Sequence, residues 1–231
     1  MAGRATTRTV PGAGRRPRDP EATREAILDA AHRLLARSGP EGVSLSEVAR
    51  LARVNRGTAY QHFDTREGLI EATVAWASDK LFRAAFGDPA TIGERRVEDV
   101  DVAAMTDRLT AFAMANPDLG RVWLLQILAS PDPSSDPFWG EYVGSLARFA
   151  ATDLAQPDVD AEVLAVLTLA GTFLWPVWAD AHATDAAERS GLARRLARET
   201  LRLSLFGSMR AEAFPDIALR LGQGQEVPVP A

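Results

Sequence analysis

The stretch whose reading decides the fold is residues 44–63, SLSEVARLARVNRGTAYQHF. It reads as two short helices joined by a three-residue turn. Ser44 and Glu47 stand in S-x-x-E spacing, a capping box in which hydroxyl and carboxylate each take up a free backbone N–H at a helix start. Leu45, Val48, Ala49 and Ala52 then share one face. After Arg53, Val54 and Asn55, the Asn is placed to cap a second helix over residues 56–63. Ala59, Tyr60 and Phe63 turn inward or toward the backbone, leaving Arg56, Thr58, Gln61 and His62 to face outward. Such a unit offers its second helix to a DNA groove.

The outward set carries the right chemistry, because Gln and Arg can each make paired hydrogen bonds to adenine and guanine edges and Thr can touch a thymine methyl. An isolated helical hairpin can equally be plain structure with a solvated face, so the flanking sequence decides. Upstream, Asp19-Pro20 supplies a cap and a first-turn proline, and Ile27, Leu28, Ala31, Leu34 and Leu35 recur at helical spacing until Gly39-Pro40. Downstream, Asp64 and Thr65 can cap a further helix beginning at Arg66. Its first N–H groups and the Arg66 guanidinium would form a phosphate-binding corner.

Over residues 23–76, with the core AILDAAHRLLARSGPEGVSLSEVARLARVNRGTAYQHFDTREGLIEATVAW, the chain resembles the TetR-like one-component bacterial regulators. The resemblance implies an all-α homodimer with an N-terminal three-helix helix-turn-helix DNA-binding domain and a larger helical ligand-binding and dimerisation domain. It also implies a DNA-backbone contact from Tyr60, positions near bases for Thr58, Gln61 and His62, a phosphate contact from Arg66, and approaches to the backbone from Ser44 and Arg56. Asn55 and Gly57 complete the candidate set. Two positions depart from the pattern. Arg53 stands where the turn usually has Gly, so either Arg53 is left-handed at a cost of about 1 kcal/mol, offset if it reaches a phosphate, or the turn itself is altered. Gly68 replaces a stronger helix former.

Charge points the same way without any resemblance. Residues 1–66 hold 12 basic against 7 acidic side chains, whereas the remaining 165 residues hold 14 against 24. A basic head on an acidic body suits a phosphate-binding domain joined to a sensing or dimerising one. Residues 1–18, with Arg4, Arg8, Arg15, Arg16 and Arg18 among Gly, Pro and Thr, lack apolar periodicity and are expected to be disordered. Such an arm can lie along DNA or in a minor groove, or serve only as a solubilising tail. With no cysteine, thiol redox sensing, Fe–S ligation and disulfides are excluded. The N-terminus has no apolar signal-peptide core, so a cytoplasmic location is expected. Lys80 is the one lysine against 25 arginines, a composition that fits a GC-rich bacterial genome.

Residues 163–179, VLAVLTLAGTFLWPVWA, carry no charge. Seventeen residues lie at the lower edge of a membrane span, but Thr168 and Thr172 dilute the run, Pro176 bends it, and Glu162 and Asp180 bound it without basic anchors. A buried helix, apolar all round, is the better reading, and no membrane partner is expected. One subunit cannot surround it, whereas a homodimer can. The following helix, over residues 185–206, carries Leu192, Leu196, Leu203 and Phe206 at helical spacing, with Leu201 and Leu205 beside them and Gly207 to end it. Paired across a two-fold axis these helices would form a four-helix interface, with Gly171 admitting close backbones. The same axis would set two recognition helices about 34–36 Å apart, the spacing of a palindromic operator on double-stranded DNA.

The rest of the body reads as helices over residues 66–85, 100–115, 117–129 and 137–154, with a polar loop through Glu94, Arg95 and Arg96. The expected organisation is a basic arm (1–18), a helix-turn-helix domain (19–66), a helical effector-binding and dimerisation domain (67–221) and a flexible tail (222–231). All five tryptophans lie in the body. Aromatic-lined cavities are the usual form of small-molecule sites. A candidate pocket would collect Phe112, Trp123, Leu124, Ile127, Phe173, Trp175 and Trp178, with Gln126, Thr172 and His182 supplying polar contacts. Core filling accounts for the same residues. With Asp180 or Glu141 at its rim the box would suit a lipophilic cation, and the effector is otherwise unspecified.

Catalysis finds little support. There are three histidines, no Gly-rich phosphate loop, no H-E-x-x-H and no G-x-S-x-G, and no cofactor or metal is implied. The expectation is a repressor released from its operator by a small hydrophobic or aromatic effector. An activator of the same family, or an effector-independent DNA-bound structural protein, are the alternatives.

Overall fold

The computed structural model describes residues 19–90, 96 and 99–222. The basic arm, Glu94 and Arg95 of the polar loop, and the tail beyond Gly222 lie outside the described residues. Within them the chain is all-helical: α1 (Pro20–Ser38), α2 (Leu45–Leu51), α3 (Arg56–His62), α4 (Arg66–Phe86), α5 (Val102–Ala115), α6 (Pro117–Ala129), α7 (Pro137–Ala150), α8 (Ala161–His182), α9 (Ala186–Gly207) and α10 (Pro215–Gly222).

Local chemistry sets most starting points. The side chains of Asp19, Ser44, Asn55, Thr65, Asp101, Asp136, Asp160 and Asp185 each accept from an N–H in the first turn they precede. Each cap of this kind is worth about 1 kcal/mol. The capping box expected at α2 forms by half, because Ser44 Oγ accepts from Glu47 N but the Glu47 carboxylate turns to Arg50, 2.5 Å away. Gly87, at φ 81°, ends α4, since its left-handed backbone favours a residue without a Cβ. Helix ends differ from the sequence reading by a few residues. α5 begins at Val102 because Asp101 caps it, and α7 stops at Ala150, four residues early.

Two cores follow from the apolar spacing. In the head, Ile27, Leu28, Ala31 and Leu34 of α1 meet Val48, Ala49, Ala59, Phe63 and Leu69. In the body, Leu81, Ala85, Trp123, Phe138, Leu169 and Phe173 pack together. α4 belongs to both, burying Leu69 in the head and Ala77, Leu81, Ala85 and Phe86 in the body. A buried carboxylate ties the body helices: Asp136 accepts from Ser78 Oγ at 2.8 Å, from Trp123 Nε1 at 3.2 Å and from the Trp139 backbone. α10, absent from the sequence reading, closes a smaller core of Leu201, Leu205, Met209, Ile217 and Leu221.

α8 continues through Pro176 and is the one described helix long and apolar enough to cross a membrane. The expectation that it is buried all round is not met within one chain. It packs on α6, α7 and α9 through Ala165, Leu169, Phe173 and Pro176, while Val163, Leu167, Leu174, Val177 and Trp178 face outward. Leu203 and Phe206 of α9 are also exposed. The open face arises because the neighbours in one chain cover only one side of an all-apolar helix.

Candidate nucleic-acid interface

Of the two alternatives for the turn before α3 the structure takes the left-handed one, with Arg53 at φ 55°. Asn55 Oδ1 accepts from Thr58 N at 3.0 Å and fixes the first turn of α3. A Cβ on Gly57 would stand 3.1 Å from that same oxygen, so the glycine leaves room for the cap. Ala59 is fully buried and anchors the helix to the head. Arg56, Gly57 and Gln61 are exposed, and Thr58 and His62 are half-buried.

Tyr60 is more open than an inward-turning residue, at 41% exposure. Its ring lies under the Arg56 guanidinium, 5.4 Å from centroid to Cζ, and its hydroxyl is 3.4 Å from Arg56 Nη2. The arrangement leaves the hydroxyl and a cation side by side on the outer face of α3, which suits a phosphate oxygen. His62 lies beside Phe63, with ring centroids 6.4 Å apart.

Arg66 is half-buried at the start of α4. Glu41 Oε1 approaches its Nη2 at 3.3 Å, and its Nε is buried without a hydrogen-bond partner. Beside it, Thr65 Oγ1 accepts from Gly68 N at 3.0 Å, so the weak helix former at position 68 is covered by a cap. Arg24 of α1, which carried no signal in the helical periodicity, stands over the Phe63 ring at 5.3 Å. Arg50 is held by Glu47, whose carboxyl its hydrogen bond draws below the usual range. These neighbours place several cations on the exposed side of the head.

In the body, the structure does not gather the candidate pocket residues around one space. Trp123 and Phe173 are fully buried and meet edge to face at 5.7 Å, with Ile127 buried beside them. Phe112 packs half-buried on the same core, and Gln126 is half-buried on α6. The Thr172 hydroxyl returns to the Thr168 carbonyl at 2.8 Å. Trp175, Trp178 and His182 instead stack in series at 4.8 and 4.1 Å, from a half-buried Trp175, whose Nε1 donates to the Leu192 carbonyl of α9 at 3.2 Å, out to the exposed Trp178 and His182. Asp180 is taken by Arg189 and Glu141 by Arg148, which removes the carboxylate rim of the expected box.

A more enclosed cavity lies elsewhere in the body. It has a volume of about 460 Å³ and sits between the C-terminal end of α4 and helices α5, α7, α8 and α9, with Phe86, Met105, Tyr142, Phe149, Thr168 and Ser204 among its walls. None of the ten candidate pocket residues lines it. Aromatic content alone could not separate packed rings from lining ones. Hydroxyls line it from four helices, Thr106 on α5, Tyr142 and Ser145 on α7, Thr168 on α8, and Thr200 and Ser204 on α9.

Residues 27–73 match the sequence profile described as bacterial regulatory proteins, tetR family. An HTH-type transcriptional repressor of Mycobacterium tuberculosis is 34% identical over 94 residues, 40% of this chain and 50% of its own length. The chain thus spans about half the length of the curated relatives it matches at this identity. The HTH-type transcriptional regulator AlkX, also of Mycobacterium tuberculosis, is 27% identical over 201 residues, 87% of this chain and 82% of that one. Among solved structures, a gamma-butyrolactone receptor (ArpA-like protein) shares the fold with a TM-score of 0.59 at 22% identity, covering 88% of this chain and 98% of the receptor.

Proposed function

From the premise that this chain belongs to the TetR family of bacterial regulatory proteins, we propose that it is a homodimeric repressor released from a palindromic operator by a small-molecule effector. The observation that carries the reading is α4. One unbroken helix begins at Arg66 beside the reading helix and ends at Phe86 in the cavity wall. A ligand that displaced Phe86 or the chain at Gly87 would therefore tilt a lever whose other end positions α3. A coupling of about 1–3 kcal/mol suffices for a useful switch.

Three further features support it. The basic excess of the first 66 residues suits phosphate binding. The relative named a repressor favours repression over activation, and relatives named as regulators favour regulation over catalysis. The outward apolar faces of α8 and α9 offer a second copy of the chain a surface of the right character.

The test is fluorescence anisotropy of the purified protein with labelled fragments flanking its own gene, against a scrambled duplex, at two salt concentrations. Tight, sequence-dependent binding that weakens with salt is expected. Equal and weak binding to every fragment would overturn a local operator and require mapping of sites across the genome.

A further inference from the structure

The cavity has walls of two kinds, and their separation bears on what fills it. Three arginines and three carboxylates line it, Arg83, Arg108 and Arg148 against Asp99, Asp101 and Glu141, so their formal charges cancel. All but Glu141 are exposed, and five of the six are engaged with protein groups. Arg83 pairs with Asp79, Arg148 with Glu141, Asp101 accepts from Ala104 N, and Arg108 donates to the Ala85 carbonyl. These charges are exposed to water, so an ionised head group buried against the apolar interior walls would leave its own hydration for no counter-ion at that depth, which is costly.

The interior is apolar with a band of hydroxyls. Thr168 gives its proton to the Leu164 carbonyl at 2.7 Å, so in the Tyr142–Thr168 pair at 3.2 Å the tyrosine is the donor. Burial pushes the Tyr142 phenol above its ordinary pKa, which keeps that proton in place. Across the cavity, Thr200 and Ser204 lie four residues apart on α9, one turn above the other. Among the described residues no protein group takes up either side-chain hydroxyl.

We infer that the cavity takes a neutral amphiphile, an apolar body against Phe86, Met105 and Phe149 with a carbonyl or hydroxyl oxygen accepting from Thr200 and Ser204. This rests on the effector reading above and narrows it to uncharged, oxygen-bearing ligands. An unpaired hydroxyl facing an apolar guest forfeits its hydrogen bonds to water, so an oxygen at this level is selected over a plain hydrocarbon.

The test is isothermal titration calorimetry of the full-length protein with three probes sharing one alkyl chain: decanol, decanoate and decylammonium. Decanol is expected to bind at least about tenfold more tightly than either ion, and the Thr200→Val, Ser204→Ala double variant to lose about tenfold for decanol with operator affinity unchanged. Leu146→Trp, which fills the space from α7, is expected to abolish decanol binding, and its circular dichroism checks the fold. Equal or tighter binding of an ion, lost in Leu146→Trp, would overturn the neutral class while sparing the effector reading. Decanol affinity unchanged in the double variant would overturn the hydroxyl assignment. No binding of any probe would overturn the cavity as an effector site altogether.

Discussion

Glu41 holds Arg66 in the free protein, its carboxylate 3.3 Å from the guanidinium at the corner where α4 starts. Glu41 is almost wholly exposed, so the pair is weak and screened, and a phosphate docking at this corner would compete with it. Glu41→Gln is therefore expected to raise operator affinity about two- to fivefold, measured by anisotropy at fixed salt. An unchanged or lower affinity would remove Arg66 from the phosphate contact.

Arg56 and Tyr60 act as a pair on the outer face of α3. If they meet the DNA backbone, Arg56→Ala is expected to weaken binding to operator and scrambled duplex alike and to reduce the salt slope by about 1. Tyr60→Ala removes both the hydroxyl and the ring on which Arg56 rests, and a loss of about tenfold in operator affinity is expected. Full retention of affinity in Tyr60→Ala would mean that α3 is docked by another face.

The head was legible because its determinants are local. Asp19, Ser44, Asn55 and Thr65 cap the helices they precede, and Arg53 adopts φ 55° because the three-residue turn demands it. The body's boundaries were legible for the same reason, as at Asn116-Pro117 and Gly87. Its interior was not. Whether Trp123 fills a core or lines a cavity depends on where α7 and α8 lie, and those contacts are long-range. α10 was missed because Ile217 and Leu221 form a single apolar pair in a short segment, which only Leu201, Leu205 and Met209 make meaningful.

Gly120 is the tightest test of the body core. A Cβ there would lie 2.4 Å from the Phe173 ring, itself wedged against Trp123. Gly120→Ala is expected to destabilise the protein by about 1–3 kcal/mol, read from chemical denaturation. No change in the denaturation midpoint would mean that α6 and α8 shift apart freely.

His32 joins α1 to the body, buried near Trp76 and the start of α6. Burial lowers its pKa, against smaller raising effects of Asp118 and Asp29 and alongside a lowering effect of Arg121. The unfolded chain therefore binds more protons than the folded one as pH falls below about 6.5. The stability that neutral His32 contributes is present above that pH and is lost as pH falls toward the depressed folded pKa. Wild type is expected to lose about 2 °C more in melting temperature than His32→Asn between neutral and mildly acid pH. Parallel pH profiles for the two proteins would show that His32 titrates without consequence.

The outward stripe of α8 and α9 makes the strongest demand on quaternary structure. Leu167 and Leu203 are 66% and 73% exposed, so neither supports its own subunit's core. Leucines so open, beside Leu174 and Phe206, form a patch that water does not favour. Leu167→Glu and Leu203→Glu should therefore leave the subunit folded while placing charges where a second copy would bury them. Sedimentation is expected to show a dimer for wild type and a monomer for the double variant. Operator affinity should then fall by about 100-fold, because a single head loses the effective concentration supplied by its twin. A wild-type monomer at working concentration, or fractionation of the chain with membranes, would assign the stripe to another surface and leave the two heads without a common axis.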